Sequence, residues 1–294
     1  MEQNKKNWHD KYYKLLLIIP AIMILFSVIY LFQFNAENGD IIGKDVSITG
    51  GTVITVFDAN IAPSDVVTAL SAQFPDINSR AISDFRTGTQ EAFYIETSSP
   101  PEDIQPALEQ FLGYELNQDN SSIEFTGSSI SSSFYQQLRL AVIIAFVFMA
   151  IVVFIIFRTP IPSLAVILAA FADILFTIVT INLLGINLSI GGIVALLMLI
   201  GYSVDTDILL TTRILRKKGE SLNKRMAGAF TTGITMALTS GAAVGVALIL
   251  TYNLSETLRQ IFTILLIGLG FDIFNTWITN ASLLKWYAEA KKIQ

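Results

Sequence analysis

LSIGGIVALLMLIGYSVDTDILLTTR, residues 188–213, decides the class of this protein. No charged residue falls between Leu188 and Val204. A bilayer core is crossed by about 20 apolar residues in a helix, so the stretch reads as a membrane span. Its last turns carry Asp205 and Asp207, where a carboxylate is costly and by default faces protein or water. Asp205 and Asp207 lie about 200° apart around a helix and do not share a face. Ser203, Asp207 and Thr211 form one polar stripe. Gly201, Asp205, Leu209 and Thr212 form another face.

Five similar runs accompany it. The six spans are residues 15–34, 138–157, 161–184, 188–212, 229–252 and 261–284. The first run is too long for a cleaved signal peptide, and no small-residue cleavage site precedes Asn35. Composition agrees. Hydrophobic residues make up 52% of the 294, charged residues only 15%, against about a quarter in soluble domains. Cysteine is absent and His9 is the only histidine, which excludes disulfides, thiolate metal sites and histidine-based triads. No cofactor, catalytic residue or metal ligand set is expected.

Orientation follows from lysine and arginine. Six spans put both termini, residues 1–14 and 285–294, and the basic loop 213–228 on one side. That side holds 14 of the 19 basic residues, among them Lys5, Lys6, Arg158, Arg213, Lys217, Lys218, Arg225 and Lys292. The termini are therefore expected in the cytoplasm and residues 35–137 outside it. The outer segment has fifteen acidic residues against Lys44, Arg80 and Arg86, a formal charge of −12.

Alternation and helical spacing resolve this segment. Strands are expected at Val46–Thr49 running on into Thr52–Phe57, at Ile77–Phe85, Ala92–Thr97 and Ser122–Phe125. Helices are expected at Ala62–Phe74, capped by Ser64, and Pro101–Leu112. The order β-α-β-β-α-β is a ferredoxin-like unit. It shows no phosphate loop, catalytic carboxylate pair or basic aromatic platform, so no nucleic-acid partner is expected.

Three features then coincide. Gly50-Gly51-Thr52 opens a strand just after the first span, a small β-α-β-β-α-β unit separates spans one and two, and Gly201-Tyr202-Ser203-Val204-Asp205-Thr206-Asp207 with Arg213 ends span four. Together they resemble the SecD/SecF family of protein-export membrane proteins, in the resistance-nodulation-division superfamily. Asp-Ile-Leu-Leu-Thr-Thr-Arg is similar to the archaeal branch. The resemblance implies a plasma-membrane heterodimer with a six-helix SecD-like protein. It also implies association with the Sec channel (the SecY complex), contact with a translocating polypeptide, and use of the proton-motive force in bacteria. Bacterial members carry Asn where Asp205 stands, Asp where Thr206 stands, and an arginine near Thr235. Ser47 replaces their usual Asp, with Asp45 two residues earlier.

The candidates for proton or conformational coupling are Asp205, favoured by motif position, with Asp207, Arg213, Asp173 in span three and Asp272 in span six. Asn275 and Thr276 share the face of Asp272. In half a transporter, the Ser203–Asp207–Thr211 stripe is expected to need a partner chain to cover it. Two other readings rank lower. A lipid or small-molecule exporter of the same superfamily usually carries both halves in one chain. An intramembrane aspartyl protease is approached by Gly268-Leu269-Gly270-Phe271-Asp272, but that run has one residue too many for its Gly-x-Gly-Asp motif.

Overall fold

A computed structural model describes residues 8–84, 87–216, 220–252 and 255–291. Phe85, at the end of an expected strand, lies outside these. So do Lys5, Lys6, Arg86, Lys217, Lys218 and Lys292. Among the described residues six helices are long and apolar enough to cross a membrane. A small α+β unit stands between the first two.

Helix α1, Trp8–Leu16, leads into α2, Ile18–Asn38. The break at Leu17 has a local cause. Pro20 has no N–H, and its ring presses on the carbonyl four residues back, that of Leu16. After α2 the chain makes the helical turn α3, Val46–Thr49, where the alternating Val-Ser-Ile-Thr had predicted a strand. Asp45 overrides the alternation: its carboxylate accepts the Ser47 N–H at 2.8 Å and starts the turn, and Gly50 at φ 84° ends it.

The strands are β1 Gly51–Val56, β2 Asn78–Ser83, β3 Gln90–Thr97 and β4 Ser121–Thr126. They pair antiparallel in the order β2-β3-β1-β4, as a ferredoxin-like unit requires. Helices α4, Pro63–Leu70, and α5, Pro101–Leu112, cover one face. Ile54, Val56, Phe93 and Ile95 pack there against Val66, Leu70, Ile104 and Leu108. The cap of α4 is Ala62 rather than Ser64, because Pro63 is already set for the first helical position.

Four long helical segments follow: α6 Ser128–Phe157, α7 Pro160–Leu183, α8 Ile190–Arg216 and α9 Leu222–Thr251. The last span is α10 Glu256–Phe274, a π-helical turn Asn275–Asn280, and α11 Ala281–Ala290. The core span of α7 is 72% buried and that of α8 56%, against 11% for α2 and α6 and 17% for α9. Helices α7, α8 and α10 thus form the centre. Their contacts need small residues: a Cβ on Gly268 would meet the Leu199 side chain at 2.5 Å.

The sheet is fastened to the bundle by a polar seam. Backbone bonds join Asp45 N to Leu188 O at 3.0 Å and Leu188 N to Gly43 O at 2.7 Å. Asn182 donates to Ile41 O at 2.9 Å. Gln260 accepts from the Ser189 N–H at 2.8 Å, bonds the Ser189 hydroxyl, and donates to Asn187 O at 2.5 Å. At the opposite end of the bundle, buried Arg225 donates to Ile214 O at 2.7 Å, and buried Lys285 lies 5.5 Å from the Tyr13 ring.

Candidate functional site

The polar residues of the central helices meet at one place. Asp173 of α7, Asp207 of α8 and Asp272 of α10 are each at most 1% exposed. The Ser203 hydroxyl donates to Asp173 Oδ2 at 2.5 Å, and Asn275 Nδ2 to Asp173 Oδ1 at 2.7 Å. Asn280 Nδ2 donates to Asp207 Oδ1 at 2.7 Å. The Thr276 hydroxyl stands 2.9 Å from Asp207 Oδ1 and 3.3 Å from Asp272 Oδ1, with one proton to give.

The π-helical turn explains why α10 supplies so many partners. Its wider turn brings Asn275, Thr276, Thr279 and Asn280 to the buried side together; all are at most 2% exposed. Such turns are rare and recur at functional sites. Thr279 donates to Asn275 Oδ1 at 2.9 Å, which fixes the amide so that its nitrogen faces Asp173. Asn280 is the residue that straight-helix spacing misses. Asn275 and Asn280 are five apart, about 140° off a common face in an α-helix.

The structure separates the two aspartates of α8. Asp207 is in the cluster, while Asp205 is on the exposed side beside Gly201 and Tyr202. The Ser203–Asp207–Thr211 stripe is covered by this chain itself, not left for a partner, because α7 and the π turn supply the facing polar groups. Arg213 lies away from the carboxylates and donates to Thr232 at 2.9 Å. Thr231, Thr235 and Thr239 of α9 are exposed, and their hydroxyls bond their own backbone carbonyls. A Cβ on Gly201, Gly241 or Gly245 would meet nothing within 4 Å. The open side of α8 and α9 thus mixes Asp205 and these threonines with exposed apolar residues such as Leu238, Val246 and Ile249. Asp207 and Asp272 are near each other but sealed from solvent, whereas a peptidase pair must admit a peptide and a water.

Gly50-Gly51-Thr52 lies far from the carboxylates and does a different job. A Cβ on Gly50 would meet Ser128 Cα at 2.5 Å, and one on Gly51 would run into the Thr97 carbonyl and Ser98 Cα, the latter at 2.8 Å. Both glycines have positive φ, 84° and 150°. The Thr52 hydroxyl donates to Ser99 O at 2.6 Å. Here β1 threads between the end of β3 and the start of α6. The motif is a backbone crossing that joins sheet to bundle.

The comparisons with known proteins come to the same architecture. A family profile described as "Protein export membrane protein SecD/SecF, C-terminal" matches residues 108–290. The protein-export membrane protein SecF of Methanocaldococcus jannaschii is 38% identical, over 96% of this chain and 99% of its own length. That of Methanolacinia petrolearia is 36% identical over 94% of each. Among solved structures, SecDF of Thermus thermophilus, described as a translocon-associated membrane protein, superposes with a TM-score of 0.72. It is 18% identical, and the match covers 94% of this chain and 38% of that one. SecDF in its super-membrane-facing form gives 0.56 at 17% identity, covering 96% and 39%. At such identities the likeness is one of fold. This chain spans under two-fifths of the SecDF chain.

Proposed function

Because the chain belongs to the SecD/SecF family of protein-export membrane proteins, we propose that it is an auxiliary subunit of the Sec protein translocase, completed by a SecD-like chain. The observation that carries this is the end-to-end match to SecF relatives, sheet unit and bundle included. A chain that spans under two-fifths of a SecDF chain leaves the remainder to a second subunit. The face that receives this subunit is the exposed one on α8 and α9, with Tyr202, Asp205, Thr235 and Thr239. A carboxylate such as Asp205 is costly against lipid. The split of basic residues supports cytoplasmic termini and an extracytoplasmic sheet. Asp173, Asp207 and Asp272 are the coupling element, and Asp205 senses the partner. The Sec channel and the exported polypeptide are met on the sheet side.

Cysteines placed one at a time at Tyr202, Asp205 and Thr239 of this cysteine-free chain test the pairing in native membranes. They should cross-link to a SecD-like chain, while one at Thr211, buried inside the bundle, should not. Depleting the chain should slow the export of a reporter protein. Cross-links only between copies of this chain, or unchanged export, would sink the reading.

A further inference from the structure

We propose that the groove where α8 ends and α9 begins holds the phosphate headgroup of an anionic membrane lipid. The groove lies at the end of the bundle away from the sheet and has a volume of about 310 Å³. Its walls include Arg213 of α8 and Lys224, Arg225, Gly228 and Thr231 of α9. Among the described residues, three cations line it against one carboxylate, Glu220. That carboxylate reaches Lys224 at 3.9 Å, and the lysine side chain is 65% exposed, so the contact is loose and screened by solvent.

Arg213 is the anchor. It falls in the last turn of the span Ile190–Leu215, half-buried at the level where the apolar stretch gives out. Among the described residues it meets no carboxylate, and it uses one of its five N–H donors on the Thr232 hydroxyl, at 2.9 Å. Gly228 makes room for it: a Cβ there would stand 3.2 Å from Arg213 Nη1. The guanidinium therefore lies across the face of α9 on which Lys224, Gly228 and Thr231 follow one another at i, i+4 and i+7. Behind them Arg225, 1% exposed, donates to Ile214 O at 2.7 Å and adds its charge to the groove wall.

The chemistry of the groove selects its occupant. A planar guanidinium with open donors matches two oxygens of a phosphate, and an ammonium beside it takes a third as a point charge. Basic pockets between membrane helices near the bilayer surface suit the headgroups of anionic lipids. A choline headgroup would bring a further cation against Arg213 and Lys224, so the groove selects a phosphatidylglycerol-like headgroup over a zwitterionic one. Thr231 begins the row Thr231–Thr235–Thr239, which puts the groove at one end of the face proposed above for the second subunit. Lipid binding is measured on this chain alone, so it stands or falls apart from that subunit.

The full chain in nanodiscs of phosphatidylcholine with a rising share of phosphatidylglycerol provides the test, with unfolding followed by tryptophan fluorescence. Phosphatidylglycerol should raise the midpoint and saturate at a low share, as one site requires. Arg213→Gln should weaken the apparent affinity about tenfold, and Lys224→Gln about threefold because that ammonium is exposed. Lys291→Gln removes the same charge outside the groove and should change nothing. Lys224→Gln keeps the test open if Arg213→Gln does not fold, and lipid retained in native mass spectrometry gives a second measure on each chain. A midpoint that climbs without saturation, equally in all four chains, reports only the surface potential of the membrane and overturns the proposal. So does inorganic phosphate that reproduces the shift in pure phosphatidylcholine, which makes the site one for a free ion. A cysteine at Thr231 that cross-links to another protein chain in native membranes, while phosphatidylglycerol has no effect, overturns it in favour of a protein contact.

Discussion

The half-buried seam under the sheet and the fully buried carboxylate cluster among α7, α8 and α10 are both polar, yet they are built on opposite principles. In the seam, donors and acceptors match. Gln260 accepts from Ser189 and donates to Asn187, Asp45 caps α3, and the 43–45 and 188 backbones pair. Beside it, burial pushes Asp40 up, but the Lys44 ammonium at 2.7 Å, the Ile41 N–H and the Tyr135 hydroxyl outweigh this and hold it below its ordinary value. In the cluster, carboxylate oxygens outnumber donors and three oxygens stand unmatched. A matched network fixes one geometry and makes a rigid mount. An unmatched one is stable only with something bound or with a change of charge. The matched seam holds the sheet on the bundle, and the unmatched cluster is the ground for the coupling role proposed for it.

Substitutions at the mount should therefore break assembly, and those in the cluster should break function first. The largest effect on stability is expected from Gly51→Ala. It forces a side chain into the Thr97 carbonyl at a φ of 150°, and strain plus overpacking come to about 4 kcal/mol. The full chain should be lost from the membrane or fall sharply in unfolding midpoint. Normal levels and stability would contradict the crossing. Gln260→Leu comes next. It strands the buried Ser189 N–H, at about 1–3 kcal/mol, and releases the exposed Asn187 carbonyl to solvent. Limited proteolysis should then cut the linker between α2 and β1 faster than in the wild type.

Asp207→Asn should invert the pattern. An amide fills the same space and removes a buried charge, so stability should hold within about 1–2 kcal/mol or rise. Export of a reporter should nevertheless fall as far as in Asp207→Ala. Asp205→Asn keeps the hydrogen-bonding group on the exposed face and should leave export near wild type, whereas Asp205→Ala should weaken co-purification of the SecD-like chain. If Asp205→Asn proves inactive but normally assembled, the charge that matters lies on the exposed face, and the contrast between cluster and mount loses its functional half.

Much of this was legible in sequence. Runs of apolar residues count off the spans because a bilayer fixes their length. The sheet order follows from alternation broken by Gly and Pro. Val46–Thr49 misled because four residues can alternate by chance, and the capping carboxylate of Asp45 decides for a helical turn. The 200° between Asp205 and Asp207 was readable, but which of them faces inward was not. The pair shares Thr206 and is bracketed alike by Val204 and Ile208, and in a membrane both sides of a helix are dry. The motif favoured Asp205, and the structure buries Asp207. Asn280 was invisible because its placement depends on a π turn, and no proline or glycine between Asn275 and Asn280 announces one.

The smallest expected effect concerns Asp76, which holds the strand end that Gly51 must pass. Its carboxylate accepts the Ser98 N–H at 2.6 Å and the Thr97 hydroxyl at 3.1 Å. Burial raises its pKa, but these hydrogen bonds outweigh that and leave it below the ordinary aspartate value. The sign then follows from proton linkage. With the folded value below the unfolded one, the unfolded chain takes up the proton first as pH falls. The stabilisation is therefore complete above the ordinary value of 3.8 and is lost as pH drops through the folded value. Asp76→Asn removes the titration, so the full chain's unfolding midpoint should fall less steeply on the acid side, with a small loss near neutrality. Asp76 is exposed, which keeps both changes small. Were the acid arms of the two chains to coincide, Asp76 would be a bystander, and the threading of Gly51 past Thr97 would stand on backbone sterics alone.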